Sequence, residues 1–361
     1  PALGNDSFTL NEDGNTVLDV LANDSDADGD PLTITAIDGQ AISVGTSVAV
    51  TGGSVTLNAN GTLTFTGAAN FNGPLAFTYT VFDGTTTSTA TVAGQINPVN
   101  DLPVAVDDVA QTDENTPIEG NVIIGSDSDV DGDTLTVIRV GNGANGVGAT
   151  LAGSNGGSFV IRADGSYSFD PGSAFQDLQI GESRTTAITY TISDGNGATA
   201  TATLTVTVTG LNDAPVAPTL PPRANLDGAA ININLGNLFT DVDGDTLSYT
   251  ITGLPTGLSY DPATGQITGT IDPSASGPTG TNAFTVTMTA VDGNGGSVER
   301  SFTWTVTNPM PQAQNDAFAI NEGQTLNGNV LANNGNGVDA DDDPLTVSLV
   351  NAPANGTLTL N

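Results

Sequence analysis

Aspartates stand at alternate positions in four short runs of this sequence. They are Asp24-Ser-Asp26-Ala-Asp28-Gly29-Asp30, Asp127-Ser-Asp129-Val-Asp131-Gly132-Asp133, Asp241-Val-Asp243-Gly244-Asp245 and Asp339-Ala-Asp341-Asp342-Asp343. Carboxylates this close repel one another, so an isolated loop would take up protons or lose its order. A hard divalent cation reverses that balance. Calcium takes roughly six to eight oxygen ligands and favours carboxylates and carbonyls. Alternation puts the side chains on one side of a loop, and glycine permits the turn. The candidate ligands in the runs are Asp24, Asp26, Asp28 and Asp30, then Asp127, Asp129, Asp131 and Asp133. Asp241, Asp243 and Asp245 follow in the third run, and Asp339, Asp341 and Asp343 in the fourth. The first run begins like an EF-hand loop. The position that should carry the chelating Glu is Thr35 in the first copy and Ile138 in the second, and the flanks read as strands. The missing ligands must come from elsewhere in the fold.

The runs recur about every hundred residues, a period that marks an array of whole domains. Other features keep the same phase. Phe77, Tyr79 and Val81 alternate with polar residues, as do Ile188, Tyr190 and Ile192, and Phe302, Trp304 and Val306. Such alternation predicts half-buried strands. Asp83-Gly84, Asp194-Gly-Asn-Gly197 and Asp292-Gly-Asn-Gly295 read as hairpin loops between them. Short links containing proline separate the repeats at Asn97–Asp101, Leu211–Pro215 and Asn308–Pro311. The boundaries predicted are 1–99, 100–211, 212–308 and 309–361 for modules one to four. The pattern breaks off soon after Asn355-Gly-Thr-Leu358, so the sequence reads as a fragment whose fourth module is truncated. The fold class predicted is all-β, with tandem β-sandwich domains in a linear array.

A seven-stranded sandwich places the missing ligands. In module two, Ala105–Thr112 reads as the first strand and Ile118–Ile124 as the second. The aspartate run then joins the second and third strands, at the same pole as the last hairpin loop and next to the incoming linker. The loop after the first strand of the preceding module faces that pole. Glu12, Asn100, Asp101, Asp129, Asp131, Asp133 and Asp194 are expected to converge at one junction. Glu114, Asn212, Asp213, Asp241, Asp243, Asp245 and Asp292 are expected at the next. The third junction reads as depleted. Module three has Asp227 where a Glu is wanted, the linker has Pro309 where Asp101 and Asp213 stand, and module four lacks its last hairpin loop.

Composition agrees and narrows the function. The 361 residues include 40 acidic and 5 basic side chains, for a net charge of −35. That surface repels nucleic acid and anionic membrane and attracts cations. Cysteine and histidine are absent, which removes disulfides, the usual zinc sites, thiol nucleophiles and Ser-His-Asp triads. No apolar run is long enough to span a membrane.

The expected convergence resembles that of cadherins, whose junctions join a Glu of one repeat, an Asn-Asp linker and an Asp-x-Asp of the next. Val20–Leu32 and Asn70-Phe-Asn-Gly73 resemble bacterial cadherin-like repeats. Module two resembles the VCBS relative through Asp164-Gly-Ser-Tyr-Ser-Phe169, Ala174-Phe175 and Thr189–Gly195. Module three is similar to the dystroglycan-type cadherin-like, or "putative Ig", family through Gly253–Leu258 and Asp261–Gly269. The resemblance implies cadherin/Ig-like sandwiches acting as calcium-stiffened extenders of a large bacterial surface or secreted adhesin, in adhesion or biofilm formation. Its partners would be calcium and neighbouring repeats, with glycans or another cell-surface protein beyond them.

Other readings compete. An acidic Asp-Gly cluster can be a plain solvated turn, although four phased copies favour calcium. Trp304 could offer a stacking face to sugar, but its alternation places it in a core. Module three differs from its neighbours, and its resemblance leaves a carbohydrate-binding module as an alternative that would need an exposed aromatic patch. The modules could space out a catalytic domain elsewhere. Paired carboxylates could serve glycoside hydrolysis, yet these lie in repeated turns and not in one cleft, so no enzyme is expected.

Overall fold

The computed structural model describes residues 1–143, 146–235, 238–313, 315–331 and 345–360. Among them every helix or strand is a strand. Two compact units make up the chain. One comprises Pro1–Ala110, Pro117–Asp170 and Thr185–Thr207; the other comprises Gln111–Thr116, Pro171–Arg184 and Val208–Asn361.

Module one contains β1 (Asp6–Asn11), β2 (Asn15–Leu18), β3 (Thr33–Ile37), β4 (Gln40–Ala41), β5 (Ser47–Val50), β6 (Gly53–Leu57), β7 (Leu63–Gly67), β8 (Gly73–Phe82) and β9 (Thr87–Asn97). Its sheets run β1-β9-β8-β3-β4 and β2-β7-β6-β5. Module two contains β10 (Asp108–Asp113), β11 (Ile118–Asn121), β12 (Thr136–Val140), β13 (Leu151–Ala152), β14 (Ser158–Ile161), β15 (Ser166–Asp170), β16 (Ser183–Ser193) and β17 (Thr199–Thr209). Their orders are β10-β17-β16-β12 and β11-β15-β14-β13. Module three contains β18 (Arg223–Leu226), β19 (Ala230–Asn234), β20 (Ser248–Thr252), β21 (Leu258–Asp261), β22 (Gln266–Thr270), β23 (Thr281–Val291) and β24 (Ser297–Thr307), ordered β18-β24-β23-β20 and β19-β22-β21. The described residues of module four carry no strand.

One plan therefore repeats. The first strand lies beside the last, in parallel where β1 meets β9 and β18 meets β24. The second strand crosses to the other sheet, and the acidic loop leads from it back to the third. In module two the observed β10 and β11 are displaced from the predicted Ala105–Thr112 and shorter than the predicted Ile118–Ile124. Asn121 is the reason for the second difference. Its Oδ1 accepts the N–H groups of Ile123 and Ile124 at 2.8 and 2.9 Å and turns the chain out of the ladder.

Period-two burial builds each core. Leu75, Phe77, Tyr79 and Val81 of β8 are buried while the residues between them are not. Each such side chain contributes about 1.5–3 kcal/mol by leaving water. Trp304 is fully buried in module three, and its indole N–H donates to Asn225 Oδ1 at 3.0 Å. A stacking platform needs an open ring face, so Trp304 is a core residue. The third strand of modules one and two carries an irregularity between Ile34 and Ala36 and between Val137 and Arg139. Thr35 and Ile138, the residues found where an EF-hand would place its Glu, are the ones left out of register.

Candidate metal centres

The three described acidic loops share one internal scaffold. Asp26 Oδ1 accepts the N–H groups of Asp28 at 2.9 Å and Asp30 at 3.4 Å. Asp129 does the same for Asp131 and Asp133 at 2.9 and 3.4 Å, and Asp241 for Asp243 and Asp245 at 3.0 and 3.4 Å. Gly29, Gly132 and Gly244 follow with φ of 80°, 81° and 77°, a turn that side-chain-bearing residues resist. A two-residue bridge ties each loop to the segment entering its module: Ala2 with Ser25, Val104 with Ser128, Val216 with Thr240. The fourth run, with Asp339, Asp341 and Asp343, lies outside the described residues.

At the first junction two groups of acids form. Carboxylate oxygens of Glu12, Asp101 and Asp131 lie within 4.8 Å of one another, as do those of Asp129, Asp133 and Asp194. Glu12 is held by backbone on both sides. Its N–H donates to Asn97 O at 3.0 Å, and its Oε1 accepts the N–H of Val99 at 2.6 Å. Asp101 N–H donates to Asp131 Oδ2 at 2.8 Å. Asn100 spans the groups, donating its amide to Asp194 Oδ2 at 2.6 Å and to Asp101 O at 3.0 Å. Asn196, in the same hairpin loop as Asp194, donates to Asp133 Oδ2 at 2.7 Å.

The second junction repeats these contacts. Asp241, Asp245 and Asp292 form a group within 4.8 Å. Leu211 N–H donates to Glu114 Oε1 at 2.7 Å, Asp213 N–H to Asp243 Oδ2 at 2.8 Å, and Asn212 Nδ2 to Asp292 Oδ2 at 2.9 Å. Asn294 donates to Asp245 Oδ2 at 2.8 Å. Gln179 adds a neutral contact, donating to Asp243 O at 3.3 Å. All seven residues expected at each junction are thus brought to one pole.

Electrostatics separates their roles. Burial, followed by the charges of Asp13, Asp131, Glu12 and Asp129, raises the Asp101 carboxyl above its ordinary range. Burial and then Asp213 and Asp243 do the same for Glu114, against the pull of the Leu211 N–H, and burial and then Asp243 and Asp241 raise Asp213. Asp194 and Asp292 are held below theirs, first by the amides of Asn100 and Asn212 and then by the N–H groups of their own loops.

The donor set fits calcium. Glu12 Oε2, Asp101 Oδ2 and Asp129 Oδ2 are buried without a hydrogen-bond partner, as are Glu114 Oε2, Asp213 Oδ2, Asp241 Oδ2 and Asp243 Oδ1. Unpartnered buried anionic oxygens cost several kcal/mol unless positive charge joins them. Every side-chain donor is oxygen, the ligand type a hard cation takes.

Asp24 and Asp127, both expected as ligands, are engaged away from the acid groups. Asp24 accepts Gly4 N–H and Tyr79 O–H at 2.8 and 2.9 Å, and Asp127 accepts Val106 N–H at 2.8 Å with Tyr190 O–H at 3.4 Å. Asp24 has both oxygens engaged, Asp127 has one on the Val106 N–H while its other shares the Tyr190 hydroxyl with the nearer Asp108, and neither joins an acid group. Asp26, Asp28 and Asp30 lie at the upper pole of module one, outside the three groups. There the backbone nitrogen of Pro1 lies 3.2 Å from Asp26 and 3.6 Å from Asp83. Asp83 was not among the expected ligands, although it opens its hairpin loop as Asp194 and Asp292 open theirs. Asp13 was also missed; its charge acts on Asp101, and module two has Asn115 in its place, so no repetition pointed to it.

The third pole departs from the pattern. Asp227 occupies the place of Glu12 and Glu114, with its N–H on Thr307 O at 3.1 Å. Both of its carboxylate oxygens are buried and unpartnered. Counted from this bond, Pro309 stands where Val99 and Leu211 stand, and not where Asp101 and Asp213 do. It has no N–H to donate. Counted back from the start of module four, Pro309 does fall at the Asp101 position. The third linker is therefore shorter, and the Asn-Asp pair is what it lacks.

Three family models match separate stretches of the chain. Residues 100–210 match the family model described as "Bacterial cadherin-like domain". Residues 1–94 and 308–361 match "Bacterial Ig domain", and residues 214–307 match "Putative Ig domain". No curated protein matches the chain. Among solved structures, the chain is similar to mouse cadherin-23 EC22-24 at 15% identity, covering 84% of this chain and 95% of that one, with a TM-score of 0.47. It is similar to Drosophila N-cadherin EC1-4 at 15% identity, covering 87% and 77%, with a TM-score of 0.36. For the extracellular cadherin domains 1-5 of protocadherin gamma B2 the identity is 15% and the TM-score 0.49; the chain covers 86% of itself and 59% of that protein's length.

Proposed function

Because the chain is a tandem of bacterial cadherin-like and Ig-like domains, we propose that it is an extender segment of a bacterial cell-surface adhesin, exported from the cell and stiffened by calcium. The modules are 1–99, 100–211, 212–308 and 309–361, the second of VCBS type and the third of dystroglycan type. One observation carries the reading: at two successive linkers a buried Glu, an Asn-Asp pair, an Asp-x-Asp-Gly-Asp loop and a hairpin Asp meet with carboxylate oxygens left unpartnered.

Glu12, Asp101, Asp131, Asp129, Asp133 and Asp194 would hold the ion or ions at the first junction. Glu114, Asp213, Asp243, Asp241, Asp245 and Asp292 would do so at the second. Bound calcium supplies the positive charge that these acids lack. The protein's part is to orient them: Glu12 and Glu114 through linker N–H groups, the loop acids through the Asp129 and Asp241 scaffolds. Affinity in the roughly 0.1–1 mM range suits extracellular modules. The third junction, without the Asn-Asp pair, binds most weakly and bends most. The modules contribute to adhesion or biofilm matrix by holding a binding tip away from the cell, and no catalytic role is assigned to them.

Small-angle scattering with calcium and then with a chelator tests the mechanism. Calcium should give the longer, stiffer particle. The same extended profile in both conditions would show that the acids do not govern stiffness.

A further inference from the structure

We propose that Tyr79 and Tyr190 are positioning residues for the acidic loops, and that Asp24 and Asp127 anchor those loops instead of ligating metal. The proposal rests on the reading that the acid groups at the poles bind calcium.

Tyr190 is 1% exposed. Its hydroxyl lies 3.1 Å from Val106 O, 3.1 Å from Val122 O, 2.8 Å from Asp108 Oδ2 and 3.4 Å from Asp127 Oδ2. The other oxygen of Asp127 accepts the Val106 N–H. Tyr79 makes the same arrangement, 3.1 Å from Gly4 O, 3.1 Å from Val20 O and 2.9 Å from Asp24 Oδ2. A phenol has one proton, so it serves one acceptor at a time. Asp24 is near it in module one, and Asp108 is the nearer acid in module two. Burial first, and then the carboxylates, push both phenols far above their ordinary pKa, so each remains a donor. The hydroxyl thus joins the incoming segment, the chain just past the second strand and the first residue of the acidic loop. The loop's scaffold residue, Asp26 or Asp129, follows at once.

Module three supplies the contrast. Val104 and Val216 bridge equivalent loop residues, so Val106 corresponds to Pro218 and Asp127 to Phe239. Met288 stands before Asp292 as Tyr190 stands before Asp194. Pro218 has no N–H, so an aspartate at 239 would lose that donor. Phe239 and Met288 are buried and fill the space with apolar side chains. Donor, carboxylate and hydroxyl are therefore exchanged together. Asp241, Asp245 and Asp292 still gather without them. A carboxylate that ligated metal would have no reason to depart along with a neighbour's N–H and a buried phenol. A carboxylate that anchors the loop would.

Calcium titration of the full chain by calorimetry tests this, because loss of a ligand and loss of positioning differ in readout. Tyr190→Phe should leave the number of bound ions unchanged and weaken first-junction binding about threefold to tenfold. Asp127→Asn should also keep the number. The triple exchange Val106→Pro, Asp127→Phe and Tyr190→Met, which copies module three, should return affinity to within about threefold of the unaltered chain. An ion lost from Asp127→Asn or from the triple variant overturns the anchor assignment. Unchanged affinity in Tyr190→Phe overturns the tyrosine's role, and if that variant does not fold, the triple variant decides. Amide exchange in chelator separates this proposal from the calcium reading. Faster exchange at Val106 and residues 127–133 in Tyr190→Phe supports the anchor even if the unaltered chain binds no calcium. Unchanged exchange there rejects it.

Discussion

Within one run of alternating aspartates, the residues do different work. Asp129 gives one oxygen to its own loop's backbone and keeps the other buried and unpartnered; Asp127, two residues earlier, gives one oxygen to the Val106 N–H and turns the other to the Tyr190 hydroxyl, which Asp108 shares. Asp194 is the most strongly oriented acid at the first junction, with three loop N–H groups on one oxygen and the Asn100 amide on the other. Asp194→Asn keeps that shape and removes a charge, so calcium affinity at the first junction should fall by at least about tenfold in a calorimetric titration. Asp227 presents the opposite case, a buried carboxylate without partners. Asp227→Asn should raise stability in chelator by about 1–3 kcal/mol, measured by urea unfolding, because it removes an uncompensated buried charge.

At the scale of elements, the linkers and loops decide how each junction answers to pH. Asp101, Glu114 and Asp213 have raised pKa values in the fold, so between their ordinary and raised values the folded chain binds more protons than the unfolded one. Stability without calcium should therefore rise as pH falls into that window, just above the usual carboxylate range. Asp194 and Asp292 have lowered values, and their contribution is lost only in stronger acid. With calcium bound the sign reverses, since protons then displace the ion. Thermal unfolding followed from neutral pH downward, with chelator and with calcium, should give opposite initial slopes. Equal slopes would mean that these acids do not sit together as described.

For the whole molecule, a net charge of −35 with only five arginines makes self-repulsion a general cost of compactness. Added monovalent salt should raise the unfolding temperature in chelator, and should raise it much less in calcium, where the largest concentrations of charge are already matched. A scanning calorimetry series in sodium chloride checks this. Equal salt responses in the two conditions would place the repulsion elsewhere than at the poles.

The sequence by itself determined the all-β character, the hundred-residue period and the sets of acids at two poles. Those features are local. Alternation reports the face of a strand, and a repeated run reports a repeated loop, whatever surrounds it. Glu12, Asn100 and Asp194 could be placed together because sandwich topology leaves few ends for a loop to occupy. Only the tertiary structure decided which aspartate of a run is anchored and which is free, that Asp13 and Asp83 face the poles, and that the third linker is short by its Asn-Asp pair. These depend on which oxygens meet N–H and O–H groups from distant strands. Tyr190 reaches Asp127 and Val106 only after β16 has been laid against its sheet, and Pro309 falls at the Val99 position only when counted from the Asp227 bond to Thr307. Spacing along the chain carries no record of such pairings, because hydrogen bonding is settled by approach in space.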